Sequence, residues 1–299
     1  MTRAFVTGAG GFVGRHLVAH LEAAGDVVVA VDRELDVRDP RALADALGAA
    51  RPGVVYHLAA LSHVGRSWDE PDAVRAVNVG GTRNVLEAVA ARAPGARVVV
   101  VSSAEVYGVT RPEDQPLAET RALAPVSPYA KSKAEAERLA LEAAARGLDV
   151  VVARPFNHVG PGQAASFFVP ALATRLLEAR ARGAREVRVG DLTTRRDLTD
   201  VRDVVRAYRL LALAGAGATV YNVASGVDHA MAEVAAALVA MVAPGTRLVR
   251  DPSLLRPVEV PVSRGDPARL MAATRWRPTI DLARSLSDVV SELERSDQA

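Results

Sequence analysis

The first half of the chain alternates short runs of β-branched residues with segments whose apolar positions recur at helical spacing. Ala4–Thr7, Val27–Val31, Val54–His57, Arg97–Val101 and Asp149–Ala153 read as strands. Between them, Leu17 with Leu21, and Val77 with Val85 and Val89, fall on helical faces. The strands are nearly continuous in apolar residues rather than alternating, as burial on both faces demands. Regular strand–helix alternation of this kind predicts an α/β fold, a Rossmann-like doubly wound parallel sheet with helices on both sides.

After Arg154 the texture changes. Pro155, Asn157, Gly160, Pro161 and Gly162 mark a loop of the kind that carries binding groups beyond a sheet's carboxyl edge. A helix from about 200 to 214 and a strand over Thr219–Val223 return to the sheet. Residues 230–299 read as helices with a Pro-rich loop over 251–261, closing a smaller C-terminal lobe.

Composition narrows the function classes. At 299 residues with 49% apolar content the chain can bury a proper core. It has no cysteine, so disulfides and thiolate metal sites are excluded, and its six histidines form no HExxH pair, so no catalytic metal is expected. The net charge is only +2 with arginines scattered, which argues against a nucleic-acid surface. The first residues run straight into a strand pattern without a leader, and the longest nearly apolar stretch, 231–243, contains Glu233 and is too short to span a bilayer. A cytoplasmic protein is expected. Nearly every basic residue is arginine, and the only two lysines are Lys131 and Lys133.

The segment from Thr7 through Gly8, Gly11 and Gly14 follows a strand and opens a helix. Gly8 permits the tight turn, Gly11 lets backbone N–H groups approach a pyrophosphate at the helix N-terminus, and Gly14 allows close packing on the strand. The spacing is GxxGxxG rather than GxGxxG. The second strand ends at Asp32, whose carboxylate suits ribose hydroxyls and repels a 2′-phosphate, so NAD(H) is favoured. The neighbouring Arg33 leaves NADP(H) open. Asp36 and Val37 are placed near the adenine, although a solvated loop charge explains Asp36 equally well.

Ser127 and Pro128 read as the N-cap and first position of a helix, on which Tyr129 and Lys133, four apart, share a face. A tyrosine exchanging protons near neutrality needs its pKa brought from about 10 to about 7. An ammonium about 4 Å away at an effective dielectric near 20 supplies roughly that. YxxxK is also common on ordinary helices with an exposed lysine. Arginine cannot offer the same compact ammonium, so a lysine kept in this arginine-rich chain suggests a specific need, with Lys131 beside it as the counterexample. Upstream, Ser103 ends the strand over 97–101, either as a strand cap or as a donor to a substrate oxygen.

Together TGxxGxxG, Asp32, the run His57-Leu58-Ala59-Ala60, Ser103 and Tyr129-x3-Lys133 resemble the extended short-chain dehydrogenase/reductase (NAD-dependent epimerase/dehydratase) family over essentially the whole chain. Within it the chain is most similar to the branch of GDP-4-keto-6-deoxy-D-mannose reductases and GDP-mannose 4,6-dehydratases. That similarity rests on the segments 154–163, 189–203 and 255–261. The resemblance implies a dinucleotide-binding domain of residues 1–155 with about 199–229, and a nucleotide-sugar lobe of about 156–198 with 230–299. It implies cofactor contacts at Gly8, Gly11, Phe12, Val13, Gly14, Asp32, Arg33, Asp36, Val37, Leu58, Ala59, Ala60, Tyr129, Lys133 and Pro155. Substrate contacts are implied at Ser62, His63, Ser103, Glu105, Asn157, Val169, Arg196, Arg256 and Glu259, with arginine forks matched to phosphate oxygens.

Ser103, Tyr129, Lys133 and Glu105 are the expected catalytic groups. The expected reaction is reduction of a nucleotide-linked, GDP-type 4-keto-6-deoxyhexose. Ala104 has no proton to give where 4,6-dehydratases place a polar residue, which speaks against dehydration. Asp32 keeps a redox-neutral, NAD-retaining 4-epimerase or 4,6-dehydratase open. A dinucleotide sensor without catalysis would have no reason to keep Ser103, Tyr129 and Lys133 together. The resemblance also implies a homodimer formed as a four-helix bundle by helices around 72–91 and 129–146.

Overall fold

The structure is a computed structural model that describes residues 1–255 and 260–296. The first half runs β1 (Arg3–Thr7), α1 (Phe12–Ala23), β2 (Val27–Val31), α2 (Pro40–Ala50), β3 (Val54–His57) and α3 (Pro71–Arg75), which continues through a π-turn at Ala76–Gly80 into α4 (Gly81–Arg92). It proceeds to β4 (Arg97–Val101), α5 (Pro128–Ala145), β5 (Val150–Pro155) and the short β6 (Asn157–Val159). There follow α6 (Phe168–Arg182), β7 (Glu186–Val189), β8 (Arg195–Asp200), α7 (Val201–Ala214), β9 (Thr219–Val223) and β10 (Asp228–Ala230). The chain ends with α8 (Met231–Val242), β11 (Arg247–Arg250), β12 (Val262–Ser263), α9 (Ala268–Thr274) and α10 (Leu282–Ser296).

Six strands form one parallel sheet in the order β2-β1-β3-β4-β5-β9. The continuous apolar runs are explained by its two covered faces. Successive residues of a strand point to opposite sides, so Ala4 and Val6, Val99, and Val151 and Ala153 enter the core packed by α1, α7 and α9. Phe5, Val98 with Val100, and Val150 with Val152 enter the opposite core, packed by α2, α4 and α5. The strand order reverses at β1, with β2 added on one side of it and β3 on the other, which opens a crevice at the carboxyl ends of β1 and β3.

A third core joins α6, α8 and α10 around Leu172, Leu176, Leu238 and Val289. Leu270 and Trp276 lie in the first core, so α9 returns to the large sheet. No helix of the described residues is long and apolar enough to cross a membrane.

The local readings differ from the structure in three places. The strand expected over 149–153 extends to Pro155, because β9 pairs Arg154 with Asn222 and Pro155 with Val223. The loop after Arg154 contains β6, and the segment 195–200, to which the sequence assigns no element, is a strand. Here β8 is the centre of a small sheet that pairs with β6, β10 and β12. Its sequence, RRDLTD, carries no alternation, and its partners lie up to dozens of residues away, so neither periodicity nor spacing marks it.

Candidate active site

The turn after β1 is built for close backbone approach. Gly8 has φ +71°, and a Cβ there would stand 2.7 Å from the Ala59 amide nitrogen. A Cβ on Gly14 would stand 2.1 Å from the Gly8 carbonyl oxygen, so only glycine lets α1 start this close to the turn. Gly11 is the N-cap of α1, with no side-chain cap and no acidic residue in the first turn. The first N–H groups of the helix therefore stay available to an anion, with the helix dipole adding to the attraction. Gly10, which sequence reasoning left without a role, faces Asp32, whose Oδ2 would lie 2.5 Å from a Cβ. Gly10, Arg15, Asp32 and Glu34 border a cavity of about 390 Å³ beside this turn. The Asp32 backbone N–H donates to Glu34 Oε1 at 2.7 Å, so a second carboxylate stands next to the expected ribose position. This cradle fits a dinucleotide.

Asp36 and Val37 take different roles. Asp36 is exposed and receives both Nε and Nη2 of Arg38, which holds its carboxyl below the usual range through that side-chain hydrogen bond. The alternative reading of a solvated loop charge fits it. Val37 is buried against Gly81, while its carbonyl accepts from Asn84 Nδ2 at 3.0 Å.

Beyond β3, Leu58, Ala59 and Ala60 are held by a buried polar chain. Thr82 Oγ1 donates to the Asn78 carbonyl at 2.6 Å and so must accept from His57 Nε2 at 3.0 Å. His57 Nδ1 then accepts from Thr7 Oγ1 at 2.8 Å, and Thr7 Oγ1 accepts the Ala59 N–H at 3.3 Å. Burial above all, and the Lys133 charge after it, push His57 down to about 3, which agrees with this neutral tautomer. Asn78, also without a sequence-based role, bridges two halves of the site. Its amide accepts from the Leu61 N–H at 2.8 Å and donates to Ser132 Oγ at 2.9 Å on α5. Burial in the π-turn gives this asparagine its meaning, and nothing in the sequence signals it.

Ser127 caps α5 by accepting from the Ala130 N–H at 3.0 Å, with Pro128 in the first turn. Tyr129 and Lys133 are both buried, whereas Lys131 is exposed, which resolves the lysine ambiguity. Lys133 Nζ donates to the Val101 carbonyl at 2.8 Å, and burial pushes its pKa down to about 8. Tyr129 goes up rather than down, to about 12. Burial of the phenol is the main cause and the Glu105 carboxylate adds to it, against the hydrogen bond with Ser103. The sequence expectation of a depressed phenol is corrected here: desolvation dominates. A phenol in this state is protonated throughout the neutral range.

Ser103 Oγ also accepts from the Glu105 N–H at 3.2 Å, at the start of a 3-10 turn over Ala104–Tyr107. The Ala104 methyl packs on the cluster of Tyr107, Leu117, Phe156 and Ala224. Ser103, Glu105, Tyr129 and Lys133 are thus gathered at the carboxyl ends of β4 and β5.

On the other side of the crevice, Pro155 is buried and Asn157 exposed. Phe12 stacks on His158 at 6.0 Å, joining the glycine turn to the strand that carries Asn157, while Val13 packs on the first core. Ser62 is exposed, and the His63 ring tilts against Phe167 at 6.1 Å. Arg33 is exposed beside Asp32. Arg196 Nη1 donates to the Val260 carbonyl at 2.7 Å. Val169 lies 4% exposed in the third core. Arg256 and Glu259 lie outside the described residues.

The Lys133 shift has a measurable signature. The unfolded chain keeps this lysine protonated up to its ordinary 10.5, whereas the folded chain releases the proton near 8. Between those values the unfolded state binds the extra proton, so the penalty of burying the charge is present below pH 8 and relieved as pH rises. The stability advantage of a Lys133→Met variant over the parent is expected to shrink from pH 8 to 10 in chemical denaturation. An advantage independent of pH would refute it.

The sequence profile described as the NAD dependent epimerase/dehydratase family matches residues 4–224. The chain is 38% identical over 297 residues to GDP-6-deoxy-D-mannose reductase of Pseudomonas aeruginosa, covering 98% of this chain and 97% of that one. Among solved structures, RMD from Pseudomonas aeruginosa complexed with NADPH superposes with a TM-score of 0.92 at 36% identity, over 99% of this chain and 100% of that one. MoeE5 in complex with UDP-glucuronic acid and NAD superposes with a TM-score of 0.87 at 34% identity, over 98% and 99% of the two chains.

Proposed function

The chain belongs to the NAD dependent epimerase/dehydratase family, and we propose that within it this protein is an NAD(P)H-dependent reductase of a GDP-linked 4-keto-6-deoxyhexose. The reading is carried by one conjunction. A likeness along nearly the whole chain to GDP-6-deoxy-D-mannose reductase accompanies a buried, protonated Tyr129 bonded to Ser103. When bound, a reduced nicotinamide supplies the hydride to C4 of the sugar. Tyr129 gives its proton to the C4 oxygen as that oxygen gains charge, and an alkoxide is a strong enough base to take it from a phenol near 12. Ser103 donates a hydrogen bond to the same oxygen, and the Lys133 ammonium offsets the charge left on the phenolate.

The glycine turn, with Asp32, Glu34 and Ala59, holds the dinucleotide, and Asn157 and Arg196 face the sugar nucleotide. NAD(H) is favoured by the two carboxylates at the ribose, while Arg15 and Arg33 nearby support NADP(H). The lobes divide near residues 155, 199 and 229, with α9 crossing back to the larger one. The enzyme works in the cytoplasm.

Incubation with a GDP-4-keto-6-deoxyhexose and NADH or NADPH is expected to consume reduced cofactor one-for-one with product. GDP-mannose alone, in a parallel arm, is expected to stay unchanged. A redox-neutral 4-epimerase or 4,6-dehydratase is the second reading, favoured by Asp32 and by Glu105, a carboxylate beside the phenol and available as a base. Conversion of a plain sugar nucleotide without added cofactor would select it and reject the reductase.

The partner is a second copy of the chain. A groove of about 610 Å³ between α4 and α5 is lined by Leu86, Ala90, Leu139 and Ala143, with Arg83 and Glu142 beside them. Leu86, Leu139 and Ala143 are packed in the second core, so two such helix pairs meet as a four-helix bundle through Ala90 and the charged rim. Light scattering at micromolar concentration is expected to give the dimer mass, and a monomer there removes the proposal.

A further inference from the structure

Beside the reacting groups lies a buried ion pair that no step above uses. Glu137 stands one helical turn after Lys133 and two after Tyr129 on α5, so the three share a face. Its carboxylate is forked by Arg154, with Nε donating to Oε2 at 3.0 Å and Nη2 donating to Oε1. The two side chains are 3% and 5% exposed. The pair's remaining bonds reach other segments of the site. Ser102 Oγ donates to Glu137 Oε2 at 2.9 Å. Arg154 Nη1 donates to Tyr107 Oη at 3.0 Å and to the Glu119 carbonyl at 3.3 Å, and its guanidinium lies 5.1 Å from the Tyr107 ring centre. Tyr107 Oη in turn donates to Asn222 Oδ1 at 2.7 Å.

These partners adjoin the reacting groups. Ser102 precedes Ser103, Tyr107 closes the turn that carries Glu105, and Arg154 lies three residues before Asn157. Stability alone is a poor reason for such a pair, since apolar residues of similar volume often replace a buried ion pair without loss. A planar fork that meets a carboxylate, a phenol and a carbonyl at once does something apolar packing cannot: it fixes the mutual orientation of its partners.

We infer that Glu137 and Arg154 are positioning residues for the reaction, setting Ser103 and Glu105 relative to Tyr129 through Ser102, Tyr107 and the frame of α5. The inference rests on the assignment of Ser103 and Tyr129 above, which the Tyr129→Phe variant tests separately. Misplacement of reacting groups by about 1 Å costs on the order of 10²-fold in rate, and that is the effect to look for.

The decisive variant is Glu137→Met with Arg154→Met, which removes both charges together. It is expected to keep its melting temperature within a few degrees and its Kd for NADH or NADPH within about threefold, while kcat falls by about 10²-fold. A merely structural role gives the opposite split. Each single variant then loses stability and activity together, and the double variant regains both, so a double variant with parental kcat overturns the inference.

Ser102→Ala, which deletes one bond, and Tyr107→Phe, which deletes two, strand no charge and cover the case in which the double variant does not fold. Each is expected to lower kcat by about 3- to 10-fold at unchanged cofactor KM, with effects that fail to add when combined. Parental kcat in both overturns the inference equally. Parental turnover in Tyr129→Phe would remove the underlying catalytic assignment instead.

Discussion

Tyr129→Phe is expected to bind reduced nicotinamide dinucleotide as the parent does and to lose about 10²- to 10⁴-fold in turnover. The substitution removes one oxygen from a ring that is only 7% exposed and leaves its packing in place. Its lost partner, Ser103, keeps the Glu105 N–H bond, so little stability is at stake. What disappears is the proton that must reach the C4 oxygen as hydride arrives. Since burial and Glu105 hold the phenol near 12, the parent has this proton in place at any neutral pH. Kinetics at saturating cofactor, with cofactor binding measured by fluorescence, separate the two effects. Unchanged turnover would mean that another group donates the proton.

Gly14→Ala is expected to abolish measurable cofactor binding and to destabilise the fold by about 1–3 kcal/mol. The added Cβ would stand 2.1 Å from the Gly8 carbonyl oxygen and 2.8 Å from Ala9 Cα. These are backbone atoms in the turn itself, with no rotamer to relieve the clash. Either α1 moves off β1 or the turn opens, and both disperse the N–H groups that receive the pyrophosphate. Gly48→Ala on α2 is the matched control, because its Cβ meets only Arg92 Cδ, on α4, at 3.9 Å. It is expected to leave cofactor binding unchanged. Titration calorimetry on the two variants decides the matter, and near-parental affinity in Gly14→Ala would show that the turn does not hold the dinucleotide.

Where chemistry is local, residues announce their structure. Five nearly continuous apolar runs announced a sheet covered on both faces, because every position of such a strand must meet a core. The glycines at 8, 11 and 14 announced a turn on a helix N-terminus, since backbone clearance depends on the nearest residues. Ser127, Pro128 and the Tyr129–Lys133 spacing announced a capped helix with both side chains on one face, a consequence of 3.6 residues per turn.

Other features exist only after distant segments meet. Strand β8 has no alternation of its own and becomes a strand because β6, β10 and β12 reach it. Arg154, legible only as part of a family motif, is an ion-pair partner because α5 lays Glu137 against it. Asn78 matters because Leu61 and Ser132 arrive from either side.

The sign of the Tyr129 shift belongs to the same group. A helix spacing puts a tyrosine and a lysine side by side, but a pKa is the balance of desolvation and every charge in range. That balance was decided by the depth of burial, by the Ser103 hydrogen bond that opposes it, and by Glu105 on another segment. By itself the sequence determined the parallel sheet, the glycine turn on a helix N-terminus and the pairing of Tyr129 with Lys133, to which the proposed proton transfer is ascribed. The tertiary structure alone decided how that tyrosine is held and charged, because solvation and long-range contact are properties of the assembled core.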